Sequence, residues 1–240
     1  MRTEVLGVGF DDVTMEQAVC RALQLIEEQN GGYVVTPNAE IAWICRKEPA
    51  VGKLVANAEL VLADGVGITL GAKILGRPLQ ARVPGSDFIA HLFEKMAERG
   101  QSVFLYGAKP GVAKTAGERI IEQFPGLHVV GTADGYGADD PVAEAIREAA
   151  PDLLLVCLGA PKQEQWMAAH QGYLDTGLMA GLGGVLDMFA GVVERAPERW
   201  RKLGLEWLYR LLKEPRRAKR MLKLPLFLFA VIGERLRGKV

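Results

Sequence analysis

Short continuous apolar runs alternate along the chain with segments in which apolar residues recur every three or four positions. Continuous runs such as 153–158 are typical of strands that are covered on both faces. Apolar residues at 15, 18, 19, 22, 23 and 26 predict a one-faced helix, and Thr14 and Gln17 ahead of them match a capping box. This alternation predicts an α/β fold, a mainly parallel sheet with helices on both faces.

The pattern places strands and helices at defined ranges of the sequence. The predicted strands are 4–10, 33–36, 60–63, 102–106, 127–131, 153–158 and 178–182. The predicted helices are 15–26, 39–47, 66–75, 87–99, 111–123, 140–149 and 161–170. After Pro197 the chain becomes rich in Trp, Leu and Arg, which predicts a core of residues 1–194 and a helical C-terminal appendage of residues 195–240.

Composition excludes several classes of protein. The 240 residues are 49% hydrophobic and 24% charged, which indicates a folded globular chain. The three cysteines lie far apart without a CxxC pair, so we expect neither a disulfide framework nor a structural zinc site. The same cysteine usage favours a reducing compartment. The sequence has no apolar signal segment at its start and no run of roughly 18 apolar residues, so we expect no membrane-spanning helix.

The net charge of zero conceals a strong division along the chain. Residues 1–194 carry 15 Lys and Arg against 25 Asp and Glu, whereas residues 195–240 carry 14 against 4. Arg210, Arg217 and Arg220 fall on one helical face together with Lys213. Such a basic amphipathic segment is typical of an element that lies on an anionic membrane, although a packed helix with a solvated basic face has the same pattern. The acidic core makes nucleic acid the least favoured partner.

Small or polar residues follow six of the predicted strands, where ligands bind in sheets of this kind. They are 36–38, 64–65, 107–111, 134–136, 159–163 and 181–184. Glycine lets the backbone approach phosphate oxygens, and each following helix offers N–H groups at its positive end. Together they favour a site for a phosphate-bearing ligand, while each loop alone is also compatible with an ordinary turn.

No specific nucleotide motif is present, but two charged residues near these strand ends are candidates for chemistry. The chain has no P-loop motif, and Gly7 and Gly9 supply only half of a dinucleotide motif. Asp64 ends an apolar strand, where it is either a general base or the N-cap of the next helix. Arg82 is either a ligand for phosphate or a surface residue.

Seven segments occur in an order that resembles the WecG/TagA/CpsF glycosyltransferases, glycosyltransferase family 26, and among them the TagA-type enzymes of wall teichoic acid assembly. They are 36–38, 63–65, 82–85, 159–164, 181–184, 195–197 and 205–210. The resemblance implies a Rossmann-like α/β domain and an inverting transfer without a metal ion. In that reaction N-acetylmannosamine passes from UDP to C4 of N-acetylglucosamine on undecaprenyl diphosphate, which forms a β-1,4 link.

The resemblance also implies roles for individual residues. Asp64 matches the general base, Thr36 and Asn38 match pocket residues, Arg82 matches an arginine that binds phosphate, and Gln163 matches an active-site glutamine. Arg210, Arg217 and Arg220 match basic residues of an appendage that docks on the membrane and completes the site over the leaving diphosphate. On geometry alone we assign Gly107, Gly183 and Gly184 to the diphosphate, and Asp134 and Tyr136 to the uridine.

The expected partners are therefore a UDP-sugar, a polyprenyl diphosphate that carries N-acetylglucosamine, and an anionic membrane, with no cofactor. We expect a cytoplasmic protein held at the inner face of the cell membrane, and exposed apolar surface in the appendage would allow self-association. Three alternatives stay open at this point. They are a related transferase for a mannosaminuronic acid donor or a capsular acceptor, an NAD(P)-dependent oxidoreductase that uses Gly7 and Gly9, and a non-enzymatic membrane scaffold.

Overall fold

The computed structural model describes residues 2–29, 31–213 and 223–238, without the side chains of Lys202 and Arg210. Its strands are β1 Arg2–Val5, β2 Val8–Asp11, β3 Gly32–Val35, β4 Leu60–Val61, β5 Ser102–Gly107, β6 His128–Ala133, β7 Leu153–Cys157 and β8 Leu178–Gly181. Its helices are α1 Met15–Glu28, α2 Ala39–Lys47, α3 Pro49–Ala56, α4 Val66–Ile74, α5 Gly85–Glu98, α6 Val112–Gln123, α7 Asp139–Ala149, α8 Lys162–His170, α9 Val185–Phe189, α10 Glu198–Lys202, α11 Glu206–Lys213 and α12 Lys223–Leu236.

Six of the strands form one parallel sheet in the order β4-β3-β8-β7-β5-β6. Side chains alternate between its two faces because successive residues of a strand point in opposite directions. Val34 therefore belongs to the core on one face, with buried residues of α1, α5, α6 and α9, while Tyr33 and Val35 belong to the core on the other face, with residues of α2, α3, α4, α7, α8 and α12. The predicted Rossmann-like sheet with helices on both faces is confirmed.

The first predicted strand, 4–10, is wrong because the chain folds there into the β1–β2 hairpin. Leu6 and Gly7 have φ of 53° and 82°, and two consecutive positive φ values are those of a two-residue type I′ turn. Asp11 joins the hairpin to the sheet by accepting a hydrogen bond from the Val61 N–H at 2.8 Å. Gly7 thus lies in a hairpin turn rather than a strand-to-helix turn, so the oxidoreductase alternative loses its only motif.

The last described helix, α12, packs on the same core as the hairpin and α4. Phe227 and Val231 are fully buried, and a Cβ atom placed on Gly71 of α4 would lie 3.1 Å from the Phe227 ring. An ion pair between Lys223 and Glu40, with 3.1 Å between Nζ and Oε1, attaches the start of α12 to α2. Within the described ranges, the helices fall short of the length and apolar character that crossing a membrane requires.

Candidate active site

A cleft of about 480 Å³ opens at the carboxyl ends of β3, β4, β7 and β8. Because these four strands are consecutive in the parallel sheet, the loops that follow them converge on one end of it. Its lining includes the residues that the sequence placed after those strands, namely Thr36, Asn38, Asp64, Arg82, Gln163, Gly183 and Gly184. The structure therefore brings the candidate residues predicted after these strands together in one cleft.

Asp64 lies at the mouth of the cleft, just beyond the end of β4, and is half-buried. The N-cap of α4 is Gly65, with φ of 90°, and this residue has no side chain with which to cap the helix. The alternative role of Asp64 as a helix cap is therefore not what the structure adopts. Its carboxylate instead belongs to the polar surface of the cleft, where it can accept a proton from a bound alcohol.

Arg82 is held beside Asp64 by main-chain geometry. The loop that carries it runs along the end of β4, and the Val83 N–H donates a hydrogen bond to the Ala63 carbonyl at 3.0 Å. Arg82 is half-buried and lines the cleft. Because Arg82 and Asp64 line the same cleft, a cation for an anionic substrate and a base for an alcohol lie within one site.

Thr36 and Asn38 form the part of the cleft that follows β3. Thr36 is only 9% exposed. The Asn38 Oδ1 atom accepts hydrogen bonds from the Glu40 and Ile41 N–H groups at 3.0 and 3.1 Å, so Asn38 is the N-cap of α2. This cap fixes the Asn38 side chain against the first turn of α2 and leaves it no freedom to swing across the cleft.

Gln163 is buried beneath the floor of the cleft with 3% of its surface exposed. Its Oε1 atom accepts a hydrogen bond from the Gly183 N–H at 2.9 Å, and its Nε2 atom donates one to Glu164 Oε1 at 3.0 Å. Both ends of the amide are thus used within the protein. In this geometry Gln163 fixes the loop between β8 and α9, where Gly183 and Gly184 line the cleft.

Helix N-termini add positive potential to the same cleft. α4 and α5 begin at its edge, with Gly65 and Gly85 in the lining, and their N-cap residues, Gly65 and Pro84, make no side-chain capping hydrogen bond. Free N–H groups at a helix start carry partial positive charge and bind phosphate or carboxylate oxygens. Together with Arg82, they give the cleft the donors that a diphosphate needs.

Comparisons with known proteins agree with this geometry. A family model described as Glycosyl transferase WecG/TagA/CpsF family matches residues 3–240. An N-acetylglucosaminyldiphosphoundecaprenol N-acetyl-beta-D-mannosaminyltransferase of Bacillus spizizenii is 36% identical over 208 residues, which are 86% of this chain and 81% of the relative. Proteins of the same name from Bacillus subtilis and Staphylococcus aureus are 34% and 33% identical, over 87% and 96% of this chain and 82% and 92% of theirs.

The chain belongs to the WecG/TagA/CpsF glycosyltransferase family. The resemblance drawn from the ordered sequence segments is confirmed. A cleft that combines a carboxylate with an arginine and helix N-termini is consistent with a glycosyltransferase. The family match does not by itself assign roles to residues, so the roles of Asp64, Arg82, Thr36, Asn38 and Gln163 remain predictions.

Three residues that the sequence assigned to the nucleotide do not line the glycosyltransferase cleft. Gly107 ends β5, where a Cβ atom would lie 2.9 Å from Cys157 Cα and closer still to its carbonyl group. Asp134 accepts a hydrogen bond from the Tyr136 N–H at 2.9 Å, which closes a local turn, and Tyr136 is 71% exposed. β5 and β6 lie on the far side of β7, so their loops end outside the lining.

The basic appendage is described only in part. Arg217 and Arg220 lie outside the described residues, as does the side chain of Arg210 on α11, so their predicted contact with the leaving diphosphate stays a prediction. Trp207, also on α11, lines the cleft and is half-buried. A Cβ atom on Gly204 would lie 3.3 Å from Val66, which shows that the turn before α11 packs on the first residue of α4.

Sequence reasoning missed several charged residues of the cleft. Arg195 forms an ion pair with Asp87 in the first turn of α5 and donates to the Ser86 hydroxyl at 3.5 Å. Further acidic residues in the lining are Glu40, Asp187, Glu194 and Glu206. The signal for Arg195 was present in the segment 195–197 that carried the family resemblance. Among the described residues no group of three or more His, Cys, Asp and Glu side chains is arranged to hold a metal ion.

Proposed function

We propose that this chain is an inverting transferase that moves N-acetylmannosamine from UDP to the 4-hydroxyl of N-acetylglucosamine on undecaprenyl diphosphate, in assembly of the wall teichoic acid linkage unit. One observation carries the proposal. Relatives whose name states an N-acetylmannosaminyltransferase acting on N-acetylglucosaminyldiphosphoundecaprenol align over 86% to 96% of this chain. The cleft supports it because a half-buried carboxylate and a guanidinium share one surface.

In the proposed reaction Asp64 accepts the proton of the acceptor 4-hydroxyl. The oxygen then forms a bond to C1 of N-acetylmannosamine on the face opposite UDP, and the bond between C1 and the phosphate oxygen breaks in the same step. A single displacement inverts the configuration at C1, so base, hydroxyl, C1 and leaving oxygen must lie in line. The proton ends on Asp64, and the electron pair leaves with UDP.

The departing diphosphate needs positive charge, which we assign to Arg82 and to the uncapped starts of α4 and α5. Fixed cations and N–H groups stabilise developing charge well because they need no reorganisation as the bond breaks. We therefore expect transfer to continue in EDTA at a rate close to that without it. A rate that falls to background in EDTA and returns on adding Mg²⁺ or Mn²⁺ would contradict this part of the proposal.

We also propose that the protein works as a peripheral protein at the inner face of the membrane, where its lipid acceptor lies. The charge of residues 195–240 supports this, and so do Phe229 and Leu236 of α12, which are 72% and 81% exposed. Cosedimentation with vesicles tests it. We expect binding to vesicles that contain anionic lipid and little binding to neutral ones, and equal binding to both would reject the electrostatic part of this proposal.

The decisive experiment supplies UDP-N-acetylmannosamine and a short-chain lipid diphosphate that carries N-acetylglucosamine. We expect release of UDP together with a disaccharide lipid, identified by mass, whose new linkage is β by NMR. UDP-N-acetylglucosamine and the mannosaminuronic acid donor serve as controls and should react far more slowly. No disaccharide lipid with the first donor, or faster reaction with one of the control donors, would reject the proposed donor.

A further inference from the structure

Glu164 is the most deeply buried carboxyl group near the cleft, yet it does not line it. It is 1% exposed, and Gln163 beside it is 3% exposed. The two neighbours on α8 have different surroundings, because Gln163 reaches the floor of the cleft while Glu164 faces Tyr33 on β3 and Cys45 on α2. A buried carboxyl group of this kind is costly, so its presence needs a reason.

The carboxyl group has only part of its hydrogen-bonding capacity in use. Glu164 Oε1 accepts a hydrogen bond from Gln163 Nε2 at 3.0 Å, whereas among the described residues Glu164 Oε2 has no hydrogen-bond partner. Burial raises the pKa of Glu164 above its ordinary value, and the hydrogen bond from Gln163 opposes this shift. An apolar side chain of similar size would avoid the cost of burying Oε2, so stability alone does not explain this residue.

What Glu164 does achieve is to set the orientation of the Gln163 amide. An amide has an oxygen that only accepts and a nitrogen that only donates, and the two ends have nearly the same shape. The Gly183 N–H needs the oxygen on one side, at 2.9 Å, and Glu164 needs the nitrogen on the other. Without Glu164 the amide nitrogen would lose its acceptor, and only the Gly183 N–H would still favour the native orientation over the flipped one.

The amide lies close to the end of β8. A Cβ atom placed on Gly181 would lie 3.2 Å from Gln163 Nε2 and 3.4 Å from Cδ. In this space the amide can exchange its oxygen and nitrogen by a flip, because the two ends have nearly the same shape. The loop at Gly183 and Gly184, which lines the cleft, depends on which way the flip falls.

We propose that Glu164 is a positioning residue of the transferase, which holds the Gln163 amide so that its oxygen fixes the Gly183 N–H and thereby the loop that lines the cleft. This inference rests on the proposed function only for its kinetic readout. Glu164 itself touches no substrate in this arrangement, and it acts through Gln163.

The test compares Glu164→Met with Glu164→Gln in the full chain. Met keeps the volume but removes the acceptor, so we expect kcat to fall roughly 10- to 100-fold, with the UDP-sugar KM within about twofold, because a displaced loop misaligns the reacting groups. Gln retains an acceptor oxygen, so we expect it to keep kcat within about twofold of the wild type. Gln165→Met, an exposed change one residue along α8, is the matched control and should leave kcat unchanged.

Two further measurements separate positioning from a structural role and do not need turnover. We expect Glu164→Met to melt close to the wild type, because removing the unpartnered Glu164 Oε2 atom offsets the loss of the acceptor for Gln163 Nε2. Hydrogen exchange at the Gly183 amide should be faster in Glu164→Met and unchanged in Glu164→Gln.

Three results would overturn the proposal. They are Glu164→Met with normal kcat and normal Gly183 exchange, Glu164→Met that loses melting temperature and activity together, and Glu164→Gln that is as slow as Glu164→Met. A wild-type protein that shows no transfer would reject the proposed function instead, and the exchange measurement would still decide the role of Glu164.

Discussion

Gly107→Ala tests whether the glycine at the end of β5 is required by packing or by a nucleotide. Its φ of 125° lies in a region that L residues rarely adopt, and an added Cβ would meet the backbone of Cys157 within 2.9 Å. The strain costs about 1–3 kcal/mol, and the steric overlap adds about 1–3 kcal/mol because a backbone strand cannot move aside cheaply. We therefore expect a loss of roughly 2–6 kcal/mol.

For a chain of 240 residues, each kcal/mol lowers the melting temperature by about 2–4 °C. Gly107→Ala should therefore melt roughly 5–20 °C below the wild type in a circular dichroism melt. Gly111→Ala is the matched control, because Gly111 also has a positive φ, of 82°, while no described heavy atom lies within 4 Å of its added Cβ. Strain alone should lower its melting point by roughly 2–8 °C.

The same proteins decide between the two roles of Gly107. Because Gly107 lies outside the cleft lining, the fraction of Gly107→Ala that is folded at low temperature should bind UDP with the wild-type Kd. A variant that melts within 2 °C of the wild type but loses UDP affinity would refute this reasoning and restore the phosphate role predicted from the sequence.

Two further predictions follow from burial. Cys20 is exposed, whereas burial raises the pKa of Cys45 to about 11 and that of Cys157 to about 12. A thiol reagent at pH 8 should therefore label one cysteine in the native protein and three after denaturation. Rapid labelling of a second thiol in the folded protein would contradict the burial described. Phe227→Ala should cost about 3–5 kcal/mol in thermal unfolding because its ring fills the contact between α12 and α4, whereas Phe229→Ala, at a 72% exposed position, should change stability by less than about 0.5 kcal/mol. Equal effects of the two would show that α12 does not dock through Phe227.

The sequence predicted the parallel sheet well because its strands are buried on both faces and therefore read as continuous apolar runs. Local side-chain chemistry was also readable, since Thr14 and Gln17 form the capping box that their spacing predicted, with hydrogen bonds of 3.3 and 2.9 Å. The sequence did not predict the β1–β2 hairpin, because the apolar pattern of β1 continues through its two-residue turn into β2. The positive φ values of Leu6 and Gly7 reverse the chain, and a leucine at the first of these positions gives no signal for such a turn.

Some residues of the candidate site were also predictable from the sequence, and others were not. Asp64 and Gln163 could be placed at the site because every parallel strand ends at the same edge of the sheet. Gly107 and Asp134 lie outside the lining of this cleft, because the structure puts β7 between their strands and the cleft, and the sequence does not give the order of strands; their assignment to the nucleotide stays a prediction. Trp207 lies in the appendage that the sequence predicts to meet the membrane, whereas packing of the preceding turn on α4 brings it to the cleft.

Asp64→Asn tests the central claim, that this carboxylate deprotonates the acceptor alcohol in the cleft. Loss of a general base lowers a rate by roughly 10²- to 10⁴-fold, so we predict such a fall in kcat for transfer from UDP-N-acetylmannosamine, with UDP still bound. Asp175→Asn, an exposed change ahead of β8 at the opposite end of the sheet, should keep the wild-type kcat. A kcat for Asp64→Asn within about threefold of the wild type, far inside that range, would remove the base from the mechanism and contradict the account.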